Sequence, residues 1–413
     1  MNRKNVLAVL SIQIIYLGSV YAQTYSFPQN VKYPYGFMSE VITSDDARKV
    51  YENWKNDFIR TCGDNEARVI KLIDGAETTI SEGMGYGMAI VAYAGDKGLF
   101  DKLLNYYVAR QNNHGMMNWI YQNCDTGDNQ KNGATDGEMD AALALVVATR
   151  QWLSDTRYKF EAGRLIDSMQ IHYFTRCGDI IVQKPGDTFG GCTCTNPSYY
   201  SPAYYRVFAM FKEEQGNTAA RDFWNEAAED AYVPLLKNAN PYTGLVYAWT
   251  NADGGDPSDC YYEVTGGGTY NSYQYDACRT PWRIANDYLW WGSSKAEEWT
   301  KKITRFVKAP VYMHSGESGE AWYGAGGIEN VVDSYWTNGL RRIDTETASY
   351  GHDHNLAFVG AFALASMSSG QEDADAFMKE FRSLVPASYY ESCLCVLYTF
   401  LATGNFWNPY GIE

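Results

Sequence analysis

The chain has 413 residues, with 34 basic against 49 acidic side chains, for a formal net charge of −15. Apolar residues make up 46% and charged ones only 20%, which supplies a large core and excludes a disordered chain, while the acid excess argues against a polyanion-binding surface. The 34 Tyr are the oddest count, because each offers a flat apolar face with a hydroxyl at one end, suited to a wet, hydrogen-bonding groove.

The chain opens like a secretory signal peptide. Arg3 and Lys4 precede an apolar run from Val6 to Val20 that ends at Val20-Tyr21-Ala22, before the polar Gln23. Ser11, Gln13 and Gly18 interrupt the run, which falls short of the ~20 apolar residues of a membrane span. The expectation is cleavage after Ala22 and a mature chain, 23–413, that is secreted (extracellular or periplasmic) without a membrane anchor. Loss of Arg3 and Lys4 takes the charge from −15 to −17.

From there the recurring unit is an amphipathic helix. Ser44-Asp45-Asp46 caps a first one, with Val50, Trp54 and Phe58 on one stripe. The same period predicts helices at 99–108, 141–152, 160–174, 203–211, 219–236, 282–291, 295–307, 356–367, 373–384 and 390–401, and another after Glu82. Pro234 interrupts one of them near its end. Loops rich in Gly, Asn, Asp and Tyr fill 123–133, 184–200 and 251–275; the last is long enough to suggest function. No Pro- or Ser-rich linker divides the chain. A dozen helices suit six helical hairpins, so the reading is one all-α domain over 23–413.

All nine Cys lie after the apolar run, where export would allow disulfides to persist. Cys192/Cys194 and Cys393/Cys395 have one residue between them, unlike zinc-ribbon spacing, which favours disulfides over metal. Nine is odd, so at least one thiol is unpaired or bonds outside the chain, and the connectivity stays open.

Three motifs join carboxylates to glycines and aromatics: Ser81-Glu82-Gly83-Met84-Gly85-Tyr86-Gly87-Met88, Ala134-Thr135-Asp136-Gly137-Glu138-Met139-Asp140, and Tyr275-Asp276-Ala277-Cys278-Arg279-Thr280-Pro281-Trp282. Each alone is compatible with a capped helix start, and Asp276 with Arg279 with a local ion pair. Together they supply what glycoside hydrolysis needs: one protonated carboxyl as acid, a second carboxylate as base or nucleophile, and aromatic surfaces for sugar rings.

These segments resemble the signature regions of glycoside hydrolase family 8. The likeness continues in order through Gly115-Met116-Met117-Asn118-Trp119, Asn196-Pro197-Ser198-Tyr199 with Ser201-Pro202-Ala203-Tyr204, His354-Asn355 and Gly404-Asn405-Phe406, and so spans Tyr33 to Pro409. The resemblance implies an (α/α)6 toroid with a cleft at its loop-bearing end. It also implies a monomeric, cofactor-free hydrolase of β-1,4-linked glucan, xylan or chitosan that inverts the anomeric carbon. By position Glu82 resembles the proton donor, Asp276 the base that activates water, and Asp136 the carboxylate that grips the sugar. Arg279 and Tyr199 look like neighbours that orient base and water. An inverting pair requires ~6.5–9.5 Å between carboxyls.

The form of the Asp136 and Tyr199 motifs looks more like the endoglucanase branch than the xylanase branch, and the aspartate at 276 disfavours the chitosanase branch. Further substrate contacts are expected from Trp119, Tyr275 and Tyr389. Trp249 and Trp282 are candidate stacking platforms, and the pairs Tyr199-Tyr200 and Tyr389-Tyr390 are better ones, since adjacent side chains do not both face one core. Two other classes compete: a non-catalytic carbohydrate-binding protein, and a metalloenzyme using His352-Asp353-His354, for which no third ligand is evident.

Overall fold

The computed structural model describes residues 24–258, 270–317, 319–343 and 351–411. The segment read as a signal peptide, part of the 251–275 loop, and Cys260 lie outside them. Among the described residues the helices are α1 (Ser44–Phe58), α2 (Ser81–Tyr93), α3 (Lys97–Val108), α4 (Thr135–Gln151), α5 (Thr156–His172), α6 (Pro202–Glu214) and α7 (Thr218–Asp230). They continue with α8 (Tyr232–Asn238), α9 (Thr280–Trp291), α10 (Ser294–Lys308), α11 (Leu356–Ser366), α12 (Gln371–Ser383) and α13 (Tyr389–Ala402).

Two kinds of helix alternate, and their sequences say which is which. In α11 every residue is buried, and in α2 every residue but Glu82. An all-round apolar helix belongs in the middle of a fold. By contrast α1 buries only Ala47, Tyr51 and Trp54, one stripe of an otherwise wet surface. The inner helices α2, α4, α6, α9, α11 and α13 pack each on the next, and α13 returns to α2, closing the ring. An outer helix backs each one: α3 on α2, α5 on α4, α7 on α6, α10 on α9, α12 on α11, and α1 on α13. The architecture is the (α/α)6 toroid that the family resemblance implied, built from the six hairpins that the helix count suggested. First and last helices share a hairpin, so the chain ends meet: Val31 N–H donates to the Gly404 carbonyl and Gln29 N–H to Asn405 Oδ1.

The expected helix over 219–236 is two. It breaks at Ala231 because the ring nitrogen of Pro234 has no hydrogen to donate to the Asp230 carbonyl. The loops also hold short antiparallel strands that helical periodicity could not reveal. Strand 76–80 lies between 71–73 and 120–122, and strand 272–273 pairs with 335–336. Two disulfides staple this end, Cys62–Cys124 and Cys177–Cys192, and Cys194 is disulfide-bonded as well. Cys278, Cys393 and Cys395 are free and buried. Cys393 and Cys395 therefore do not follow the expectation of pairing: both serve as small packing residues on α13, and Trp54 donates its indole N–H to Cys393 Sγ.

Candidate active site

Residues 76–80 run straight into α2 at Ser81, whose N–H donates to the Trp119 carbonyl at 2.9 Å. This anchors the helix start and leaves Glu82, with 17% of its side chain exposed, as the one position of α2 open to the cleft. Asp136 occupies the equivalent second position of α4. The two helices cross backbone to backbone. A Cβ on Gly85 would stand 2.2 Å from the Gly137 carbonyl oxygen, and one on Gly137 2.6 Å from the Ser81 carbonyl. Glycine at both positions lets the helix starts, and with them Glu82 and Asp136, converge.

What they converge on is Arg279, the residue that begins α9. Its Nη1 donates to Glu82 Oε2 and to Asp136 Oδ2, both at 2.8 Å, and lies 3.0 Å from the Tyr86 hydroxyl. The guanidinium is 4% exposed and stands over the Tyr199 ring, 5.1 Å from its centroid. One turn deeper the arrangement repeats: Arg283 of α9 pairs with Asp140 of α4 at 2.6 Å, both fully enclosed. The spacing of four between Asp136 and Asp140 thus faces the same spacing between Arg279 and Arg283, a two-rung ion-pair ladder joining α4 to α9.

Asp276 approaches from the strand pair 272–273/335–336. Its Oδ2 accepts from Trp249 Nε1 at 3.1 Å and Gln274 Nε2 at 3.3 Å, and its own N–H donates to Gln274 Oε1. Among the described residues no protein group donates to its Oδ1. Neighbouring Tyr275 accepts from Asn355 Nδ2 at 2.8 Å, tying the segment to the start of α11.

Burial pushes Glu82 up to about 7; Arg279 opposes the rise, but Asp136, held on the same guanidinium nitrogen, adds to it. A carboxyl in that state is about half protonated at neutral pH, far more than an ordinary one.

Glu82, Tyr275, Asp276, Arg279, Tyr389 and Tyr390 line one cavity of about 1240 Å³. Asp136 and Tyr199 touch Arg279 from behind rather than lining it. Trp119 does not line it either; it stands 45% exposed beside the start of α2. Trp249 and Trp282 are not platforms. Both are buried, Trp249 because its indole N–H serves Asp276, Trp282 because its ring packs against Tyr86 and Tyr398 inside the toroid. Each tyrosine pair splits as adjacent positions must: Tyr200 and Tyr389 are buried, Tyr199 and Tyr390 half-buried. Trp249, Gln274 and Arg283 were not anticipated in these roles; Trp249 is 27 positions from Asp276, and no local pattern signals such a contact.

His354 is held by protein on both ring nitrogens, Nδ1 by the Val331 carbonyl and Nε2 by Glu380, which answers the suggestion of a metal pair at 352–354. Among the described residues no group of three or more His, Cys, Asp or Glu is arranged around a common metal position.

The comparisons agree with the fold. The family model described as glycosyl hydrolases family 8 matches residues 25–322. Endoglucanase A of Acetivibrio thermocellus is 32% identical over 98% of this chain and 80% of its own. A reducing-end xylose-releasing exo-oligoxylanase of Paenibacillus barcinonensis is 26% identical over 80% of this chain and 83% of its own. The apo structure of a β-1,3-1,4-glucanase from Paenibacillus sp. X4 superposes with a TM-score of 0.78 at 24% identity, covering 94% of this chain and all of that one. With its family model, its relatives and its toroid in agreement, the chain belongs to glycosyl hydrolases family 8, a family of glycan-cleaving enzymes.

Proposed function

We propose that the protein is a secreted, inverting endo-β-1,4-glucanase in which Glu82 is the general acid and Asp276 the general base. The observation that carries this reading is the pairing in one cavity of a carboxyl whose proton affinity is raised to about 7 with a second carboxyl group whose Oδ1 accepts from no protein donor among the described residues. Glu82 gives its proton to the glycosidic oxygen as the C–O bond breaks. Asp276 takes a proton from a water that attacks the anomeric carbon from the opposite face, which inverts it. Trp249 and Gln274 occupy Oδ2 and so aim Oδ1 at that water. Arg279 fixes the direction of the Glu82 carboxyl, and Asp136 balances its charge while keeping lone pairs for a sugar hydroxyl. Tyr275 and Tyr389 offer apolar surface in the cavity, Tyr199 supports Arg279, and Trp119 extends the sugar-binding surface beside α2.

Glucan is preferred over xylan because the more similar relatives are endoglucanases by name, while the exo-oligoxylanase is more distant. Disulfides at the cleft end and the basic, then apolar start of the chain support export. The test is reducing-sugar release from soluble β-glucan and xylan, with the anomer of the first product followed by proton NMR. The reading expects release from glucan, the α-anomer first, and loss of release in both Glu82→Gln and Asp276→Asn with polymer binding retained. No release from any β-1,4 polymer would favour a binding protein; faster xylan cleavage would favour the xylanase alternative.

A further inference from the structure

The cavity does not stop at the carboxylates. From Glu82 and Tyr389 it continues down the flank of the toroid, between α1 and the 383–388 segment, as far as Asp46 on α1 and Thr399 on α13. Thr399 lies ten residues after Tyr389 on α13, so the extension is roughly 15 Å long at 1.5 Å per residue. Arg382 closes its foot through a 3.1 Å ion pair with Asp46, and two exposed aliphatic side chains, Leu72 and Val385, flank its mouth.

The α1 wall is ordered. Val50 and Phe58, half-buried at a spacing of four on either side of the buried Trp54, supply an apolar strip, and Phe58 meets Tyr389 edge-on, ring centroids 6.1 Å apart. Lys49, Asn53 and Asp57 form the adjacent strip at the same spacing. All three are exposed and line the groove, and their side chains make no hydrogen bond or ion pair with any described residue. An apolar floor beside a rail of unused donors and acceptors, with one positive and one negative charge cancelling, suits a neutral ligand with one apolar and one polar edge along its length. A pyranose chain has that character, with C–H faces and hydroxyl edges.

We propose that this flank groove binds the same polysaccharide, holding sugar units beyond the scissile bond, with the α1 rail as its hydrogen-bonding edge. The inference rests on the glycanase reading of the adjoining carboxylates, and two measurements keep the two separable. In the first, kcat/KM is compared on soluble β-glucan and on a short β-1,4-gluco-oligosaccharide for wild type, Asn53→Ala/Asp57→Ala and the groove-filling Val50→Trp, each checked for an unchanged Tm. The groove predicts a loss of about 3- to 10-fold on the polymer, carried by KM, and no change on the oligosaccharide. In the second, retardation of Glu82→Gln protein in native gels containing β-glucan is compared with and without the rail substitutions, and weaker retardation is expected. Wild type inactive on both substrates, with retardation still dependent on the rail, would sink the glycanase reading and leave the groove standing. An active enzyme whose rail variants change neither polymer kinetics nor retardation, or lose both substrates equally, would overturn the groove.

Discussion

Arg279 and Glu82 are joined by a 2.8 Å contact from Nη1 to Oε2, yet the carboxyl of Glu82 is raised to about 7 rather than lowered by its cationic partner. The cause is competition. Burial is the largest effect, and the same guanidinium nitrogen also serves Asp136, so its charge is divided between two carboxyls.

A raised carboxyl binds its proton more tightly folded than unfolded. Its contribution to stability is complete at acid pH and is lost as pH rises from the ordinary carboxylate range through about 7. Two outcomes follow. The alkaline limb of kcat/KM falls near neutrality as Glu82 loses its proton, and Glu82→Gln raises Tm relative to wild type more at about pH 8 than at about pH 5. Pairwise thermal melts and a pH–rate profile check both.

Trp249 is the outlying support of Asp276, the proposed base. Trp249→Phe keeps most of the ring but removes the N–H on Asp276 Oδ2, so kcat is expected to drop about tenfold, as for a lost hydrogen bond to a charged group, with KM little changed. Steady-state kinetics on β-glucan show whether the loss lies in kcat.

The contact of α2 with α4 is also open to test. Gly137→Ala places a methyl 2.6 Å from the Ser81 carbonyl, where only a backbone shift relieves it. The expected cost is about 1–3 kcal/mol of stability, with activity falling more than polymer binding because Glu82 and Asp136 are moved apart. Denaturant unfolding and the gel-retardation assay separate the two effects.

Below the cleft, Asp140→Asn leaves the buried Arg283 charge unpaired and should destabilise by about 3–5 kcal/mol. Asp140→Leu with Arg283→Met should be far less damaging, since no charge remains buried. Comparison of the two Tm values decides whether this rung is structural.

Much of the site was legible in sequence because its groups sit at helix starts. Glu82 and Asp136 each follow a short residue at the head of an apolar helix, so local spacing exposes them; Arg279, read from its spacing as a partner of Asp276, instead pairs with Glu82 and Asp136. A dozen helices of similar length made six hairpins legible, but their closure into a toroid came from the family resemblance; that all-apolar helices alternate with one-striped ones emerges only from the fold. What sequence could not show depends on tertiary contact. Trp249, in a loop rich in Asn and Asp, looks like a surface platform until the fold brings its N–H to Asp276. Cys393 and Cys395 look like candidates for pairing until α13 is seen to enclose both. The short strands that aim Glu82 and Asp276 are two to five residues long and carry no period of their own.

The assignment of acid and base is tested most directly by a substrate that needs no acid. A β-glucoside oligomer with a nitrophenolate-type leaving group departs without protonation, so Glu82→Gln should cleave it at close to the wild-type rate while losing about 10²–10⁴-fold on β-glucan. Asp276→Asn should be crippled on both, because the attacking water still needs its base. If Glu82→Gln instead lost both substrates equally, or Asp276→Asn were the variant rescued, the roles of Glu82 as acid and Asp276 as base would be contradicted.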